Sequence, residues 1–247
     1  MHERVGEIRK NTFGTEMRII AYRSSSDIDV EMLDSHHYVK RNTTYSNFKK
    51  GNILNPFDPN TYKHGYTGDG CYISMDNGKS DMVYTVWANM LERCYSQENS
   101  NKHKSYYNIS EVCNEWLNFQ NFAQWFNENK YECDGRLHLD KDILYPGNKI
   151  YSPYHCILVP QTINEQFKNN TRKKNDIDLP YTIYRKGSGY TVTYMGNKLG
   201  DYETLQEAIK SYEEARYERV LCLIDNYPNM PNNVKEAIIN IKYNWAA

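Results

Sequence analysis

The polar residues packed densely enough to do chemistry lie in "HLDKDILYPGNKIYSPYHCILVPQTINEQF", residues 138–167. The text reads as two short strands followed by the start of a helix. Side chains alternate along a strand, so His138, Asp140 and Asp142 share one face and Lys141 points to the other. Imidazole and carboxylate groups are the ones that proton transfer and the binding of a hard cation draw upon. Lys141 is a poor base. An ammonium with an ordinary pKa of about 10.4 keeps its proton at neutral pH unless burial or cationic neighbours depress that value. His155 is expected on the second strand. A lone strand histidine is also commonly structural or solvated, and the plain alternative for "LDKD" is a solvated loop edge.

The elements around this stretch are legible from their periods. "EMRIIAYRSSSDIDVEML" alternates apolar and polar residues about the turn signal "SSSD", and Lys49, Lys50 and Gly51 mark a further turn. Pro and Gly residues between Asn55 and Gly65 read as a linker. "MVYTVWANMLERCY" places Val83, Val86, Trp87, Met90 and Leu91 on one helical face. "ISEVCNEWLNFQNFAQWFNEN" does the same with Val112, Trp116, Phe119, Phe122 and Trp125–Phe126, with Ser110 as its N-cap. These rings are expected to form a core. "KNNTRKKND", Lys168 to Asp176, reads as a basic linker. Strands are then expected at Tyr181–Arg185, Tyr190–Met195 and Lys198–Tyr202, and a helix capped by Thr204 with Glu207 three residues on. "PNNVKEAIINIKYNW" closes the chain as a short helix.

Composition sets bounds. Net charge is −1, so any nucleic-acid partner must be met by local patches. Mean hydropathy is −0.84, yet aromatics make up 14% of residues, which argues for a folded chain with a polar surface. An AT-rich genome would produce the same Asn, Lys, Tyr and Ile excess. No apolar run approaches the roughly 20 residues that span a bilayer, and "MHERVGEIRK" lacks the apolar core of a signal peptide. The six cysteines are scattered without a CxxC pair, so free thiols are expected and structural zinc is not.

Two family resemblances follow from these residues. The 177–215 text resembles the APETALA/ethylene-response-factor DNA-binding domain through Ile183, Tyr184, the turn "KGSG", Tyr190, "LGDY" at Leu199–Tyr202, Thr204, "QEA" at Gln206–Ala208 and Tyr212. The resemblance implies a three-stranded sheet on one helix, with Tyr184, Arg185, Lys186, Tyr190, Thr191, Thr193 and Lys198 as DNA-facing candidates. The helix is acidic (Glu207, Glu213, Glu214), so only the sheet side suits phosphate. Lys168, Arg172, Lys173 and Lys174 of the linker can track the backbone.

The 138–167 stretch resembles HNH endonucleases, whose strand, loop, strand and helix hold one divalent metal. "HLDKDIL" fits the first strand, "GNK" the loop, "YSPYHCILVP" the second strand and "QTINEQF" the helix start. The resemblance implies Asp140 and Asn164 as ligands of Mg²⁺ or Mn²⁺. It puts Lys141 on the position of the general-base histidine, and His138 or His155 would have to take that role over. The order of tryptophan helices, this motif and the APETALA-type module resembles phage-encoded proteins described as HNH homing endonucleases, over most of residues 80–240. In that group the lysine after the aspartate is a familiar variant.

The expected fold is therefore α+β: a small β-rich module over 1–60, an HNH-like ββα-metal domain with aromatic-rich helices over 80–170, the APETALA-type domain over 177–225 and a helix over 230–247. The expected partner is double-stranded DNA, with no membrane, in the cytoplasm of an infected bacterial host. Three functions stand open: a metal-dependent, site-specific DNA endonuclease; a DNA-binding protein on an inactive HNH scaffold; and a phage interaction or anti-defence protein binding a host protein.

Overall fold

The computed structural model describes residues 4–103, 106–167, 171–174, 177–180 and 182–241, with the strands inside 171–180 described by backbone only. The chain is mixed α+β, with several small sheets and seven α-helices among those residues. It divides into two compact units, Met1–Asn127 with Lys149–Ser152, and Glu128–Asn148 with Pro153–Ala247. The division falls inside the 80–170 stretch expected to be one domain. Among the described residues no helix is long and apolar enough to cross a membrane.

The first unit carries a four-stranded antiparallel sheet, β1 (Ile8–Lys10), β2 (Glu16–Ser24), β3 (Asp27–Met32) and β4 (Val39–Thr43), paired in chain order. Met17 and Ile19 of β2 alternate with exposed neighbours, and they join Ile28, Val30 and Met32 of β3 in one buried cluster with Phe48 and Ile53. Phe48 comes from α1 (Tyr45–Lys50), so the turn expected at Lys49–Gly51 is a helix end. Gly51 sits there at φ 75°, and a Cβ would meet the Lys10 carbonyl oxygen at 3.0 Å. Only glycine takes that bend without strain.

The Asn55–Gly65 segment is not a free linker. Asp58 is buried and accepts hydrogen bonds from Asn11 Nδ2 at 2.7 Å and Thr15 Oγ1 at 2.5 Å, while Asn55 Nδ2 donates to Asp34 at 2.6 Å. Buried polar groups hold a segment in place once each has a partner.

Beyond a small hairpin, β5 (Met75–Asp76) with β6 (Lys79–Ser80), α2 (Met82–Tyr95) starts at Asp81, whose carboxylate accepts from the Val83 and Tyr84 amides. Val83, Trp87, Met90, Leu91 and Cys94 are its buried side. Ser110 is no N-cap, because β7 (Glu111–Val112) pairs in parallel with Ile150–Tyr151 (β9 in chain order). The expected single helix consequently begins at Asn114 and breaks at Asn118 into α3 (Asn114–Leu117) and α4 (Phe119–Asn129). Its rings remain the core: Trp116, Phe119, Phe122 and Phe126 are buried, and Trp87 Nε1 donates to the Trp116 carbonyl at 2.7 Å.

The second unit contains β8 (Leu137–Asp140) antiparallel to β10 (Ile157–Pro160), then α5 (Gln161–Asn164) and a 3₁₀ turn, Glu165–Phe167. Within the segment expected as a linker, Thr171–Lys174 form a strand, β11, paired with β12 (Ile177–Pro180). A three-stranded antiparallel sheet follows, β13 (Ile183–Lys186), β14 (Gly189–Tyr194) and β15 (Asn197–Tyr202), then α6 (Leu205–Ile224) and α7 (Asn232–Ile239). The capping box read from Thr204 and Glu207 is present in both directions.

One helix serves two cores in this unit. The first half of α6 covers the sheet, with Ala208 buried against Ile183 and Val192. Its second half supplies Val220, Leu223 and Ile224 to a larger cluster with Ile143, Ile157, Val159, Ile163, Val234 and Ile238. Burying each such side chain contributes roughly 1.5–3 kcal/mol, so the strand pair and short helix at 137–167 are held chiefly by α6 and α7.

Candidate active site and nucleic-acid face

The register of β8 with β10 decides what meets around Asp140. Asp140 lies opposite Ile157 and His138 opposite Val159. Directly paired residues project from the same face, so both polar groups sit beside the apolar pair that α5 and α6 cover. Asn164, at the end of α5, closes over that face and places its Nδ2 3.3 Å from His138 Nδ1. His138 and Asn164 are thus brought together from strand and helix.

Asp140 ends its strand by folding back the chain. Its Oδ1 accepts the backbone amides of Asp142 and Ile143, both at 2.8 Å. Those two amides use one carboxylate oxygen and leave Oδ2 outside the turn. Burial raises the Asp140 carboxyl above the ordinary aspartate range, against the lowering by the Ile143 and Asp142 amides. Desolvation disfavours the charged form of a carboxyl, and hydrogen bonds to that form oppose the shift.

Lys141 follows the last residue of β8 and is engaged by the loop rather than by the strand pair. The residue is buried; its Nζ donates to Asp142 Oδ1 at 2.8 Å and to the Asn148 carbonyl. Asn148 Nδ2 returns a bond to the Lys141 carbonyl at 3.0 Å. Together these ties close the loop that follows Asp140. Lys141 therefore shapes the turn in which the Asp140 carboxylate is fixed. Asp142, taken from the sequence as sharing the Asp140 face, is the ammonium's partner instead.

His155 lies in the turn ahead of β10 rather than on a strand, and its ring stands edge-on to Tyr145 with centroids 5.2 Å apart. The register with β8 begins only at Ile157, so strand pairing does not bring His155 opposite Asp140. His138 has a constraint of its own. A neutral imidazole has one acceptor nitrogen, and in the contact with the Asn164 amide that acceptor is Nδ1. Taking a proton from water at Nδ1 requires His138 to release Asn164.

The C-terminal sheet sorts its seven candidates by face. Tyr184 pairs with Thr191 and Thr191 with Asp201, while Ile183 pairs with Val192. Ile183 and Val192 are buried under α6, so Tyr184, Lys186, Thr191, Thr193 and Lys198 occupy the opposite, open face. Arg185 and Tyr190 fall on the helix side, with the guanidinium 5.9 Å from the Tyr190 ring centroid. Gly200 is also on that side, where a Cβ would meet the Tyr202 ring at 3.0 Å; the ring's hydroxyl bonds Ser211 of α6. The absent side chain makes room for that ring.

Lys168 lies outside the described residues. Arg172, Lys173 and Lys174 lie on β11, where the backbone alone is described.

Two residues escaped the sequence reading. Asn148, in "GNK", is the partner that locks Lys141, and nothing in its local text signals that role. Asp201 sits in the middle of the open face, bonded by Lys198 Nζ at 2.7 Å, Thr191 Oγ1 at 2.5 Å and Lys186 Nζ at 3.4 Å. Its signal was present: once Tyr202 faces the helix, alternation turns Asp201 outward. Comparison with known proteins finds no matching family model, no matching curated protein and no matching solved structure.

Proposed function

We propose that this chain is a metal-dependent, site-specific DNA endonuclease of the HNH type, acting on duplex DNA in the cytoplasm of a bacterial host. The observation that carries the reading is the meeting of His138 and Asn164 beside Asp140, on a strand–loop–strand–helix frame. The donor types suit a hard divalent cation: a carboxylate from Asp140 and an amide oxygen from Asn164, with further positions left to water and phosphate, as Mg²⁺ accepts. When bound, Mg²⁺ or Mn²⁺ would supply Lewis acidity towards the attacking water and the phosphate. Asp140 is held for this task by its own turn, which Lys141 and Asn148 close. His138 orients the Asn164 amide and, on releasing it, is the nearest base. The open sheet face, with Lys186 and Lys198, is the surface assigned to DNA.

A second reading is favoured by one observation. Lys141 stands at the base position of the family and is buried in loop contacts, which suits a DNA-binding protein on a frame that no longer cuts.

A nicking assay on phage and host genomic DNA with Mg²⁺ or Mn²⁺ separates the two. Asp140→Ala and Asn164→Ala are expected to abolish cleavage and leave duplex binding nearly intact. Wild-type protein that binds its site and never cuts it establishes the second reading.

A further inference from the structure

The open face of the β13–β14–β15 sheet carries an ion cluster whose aspartate, Asp201, the endonuclease reading leaves unused. Asp201 lies at its centre, between cross-strand Thr191 and the flanking lysines. Its Oδ2 takes Lys198 Nζ at 2.7 Å and Lys186 Nζ at 3.4 Å, and its Oδ1 takes the Thr191 hydroxyl. All three ionic side chains are about half exposed or more, at 68% for Lys186, 52% for Lys198 and 48% for Asp201. Exposed pairs of this kind hold weakly, so the lysines are parked and can be released.

We infer that Asp201 is a specificity-determining residue, which keeps Lys186 and Lys198 off phosphate until the sheet meets a base edge able to donate a hydrogen bond to its carboxylate. The inference rests on the assignment of this face to duplex DNA.

The physical case has two parts. In the free protein the carboxylate cancels one of the two positive charges and geometrically engages both, which lowers the attraction of the face for any phosphate backbone. Against a groove, the same carboxylate loses water and needs a donor. The cytosine N4 amino group supplies one in the major groove, whereas guanine presents N7 and O6, which are acceptors. A buried acceptor facing an acceptor is penalised, since each loses its water partners without replacement. Asp201 thus weakens binding everywhere and weakens it least where a donor stands opposite. Thr191 contributes by fixing Oδ1, so that Oδ2 is the oxygen exchanged between lysine and base.

The test uses the full-length protein and Asp201→Asn, which keeps the size and the Thr191 bond while removing the charge. Binding to a random-sequence duplex and to a selected target is followed across a salt series. The variant is expected to bind random duplex more tightly, with a log–log salt slope steeper by roughly 0.9 for each lysine released to phosphate. Its preference for the selected target should fall roughly 5- to 150-fold, the worth of one lost base contact. Adding Lys186→Gln and Lys198→Gln to the Asp201→Asn variant should return the slope to the wild-type value, which rules out a change elsewhere. If wild type binds duplex and Asp201→Asn changes neither slope nor preference, the inference is overturned while the DNA reading stands. If neither protein binds duplex at low salt, both are overturned together.

Discussion

The strand frame at 137–140 and the sheet at 183–202 carry aspartates in opposite states. Asp140 ends β8 opposite the buried Ile157, and burial pushes its carboxyl up. Asp201 lies on the open face of its sheet, and Lys198, Thr191 and Lys186 hold its carboxyl down. The charged form of the same group is disfavoured in one place and favoured in the other. On the proposed function, a cation at Asp140 would supply the charge compensation that burial removes. If the sheet meets DNA as proposed, its weak surface pairs could be exchanged for partners on the ligand.

Packing follows the same division. The frame at 137–167 shares a cluster of eleven buried residues, including Val220, Leu223 and Ile224 of α6. The sheet at 183–202 is held by three fully buried residues, Ile183, Val192 and Ala208, with a rim of half-buried rings. Tyr194 links the two by donating to Gln166 at 2.8 Å. The larger cluster thus backs the frame proposed as the active site, and the smaller one backs the sheet.

This contrast can be broken at several points. The largest expected effect is catalytic. With cleavage established, His138→Ala is expected to slow it by about 10²–10⁴, the usual worth of general acid–base catalysis. A loss below roughly tenfold, short of that range, makes His138 only the partner that orients Asn164. Either result is read from single-turnover rates at saturating protein.

Next in size is the large core. Ile163→Ala is expected to cost about 2–5 kcal/mol, as for buried aliphatic truncations generally, measured by urea denaturation. Amide exchange at Ile163 and at Val192 should respond together, because α6 runs through both cores. Independent responses would make the two ends of the helix separate folding units, contrary to the shared-helix account.

The smallest expected effect is at the N-cap. Thr204→Ala removes the hydroxyl that accepts the Glu207 amide at 3.2 Å and should cost about 0.5–2 kcal/mol. Its local signature is lost amide protection in the first turn of α6 and in β15, with little change at Asp140. Equal loss at both ends would show that the cap supports the whole unit.

Local text fixed the elements whose signals are short-range. The alternation of β2, the buried face of α2, the strands around Tyr190 and Lys198, and the start of α6 at Thr204 all come from neighbours within a turn or a strand. The shared face of His138 and Asp140 was equally legible, because a strand's period is two. Other features depend on chain that is distant in sequence. Ser110 lost its capping role because Glu111–Val112 found Ile150–Tyr151 to pair with. Asn55 and Asp58 became fixed because Asn11, Thr15 and Asp34 supply their partners. Arg185 turned to the helix side once Ile183 paired with Val192. Lys141 shows the reason most plainly: alternation predicts only the opposite strand face, whereas the strand ends at Asp140 and the ammonium's burial against Asp142 and the Asn148 carbonyl follows from loop closure, which no local propensity encodes.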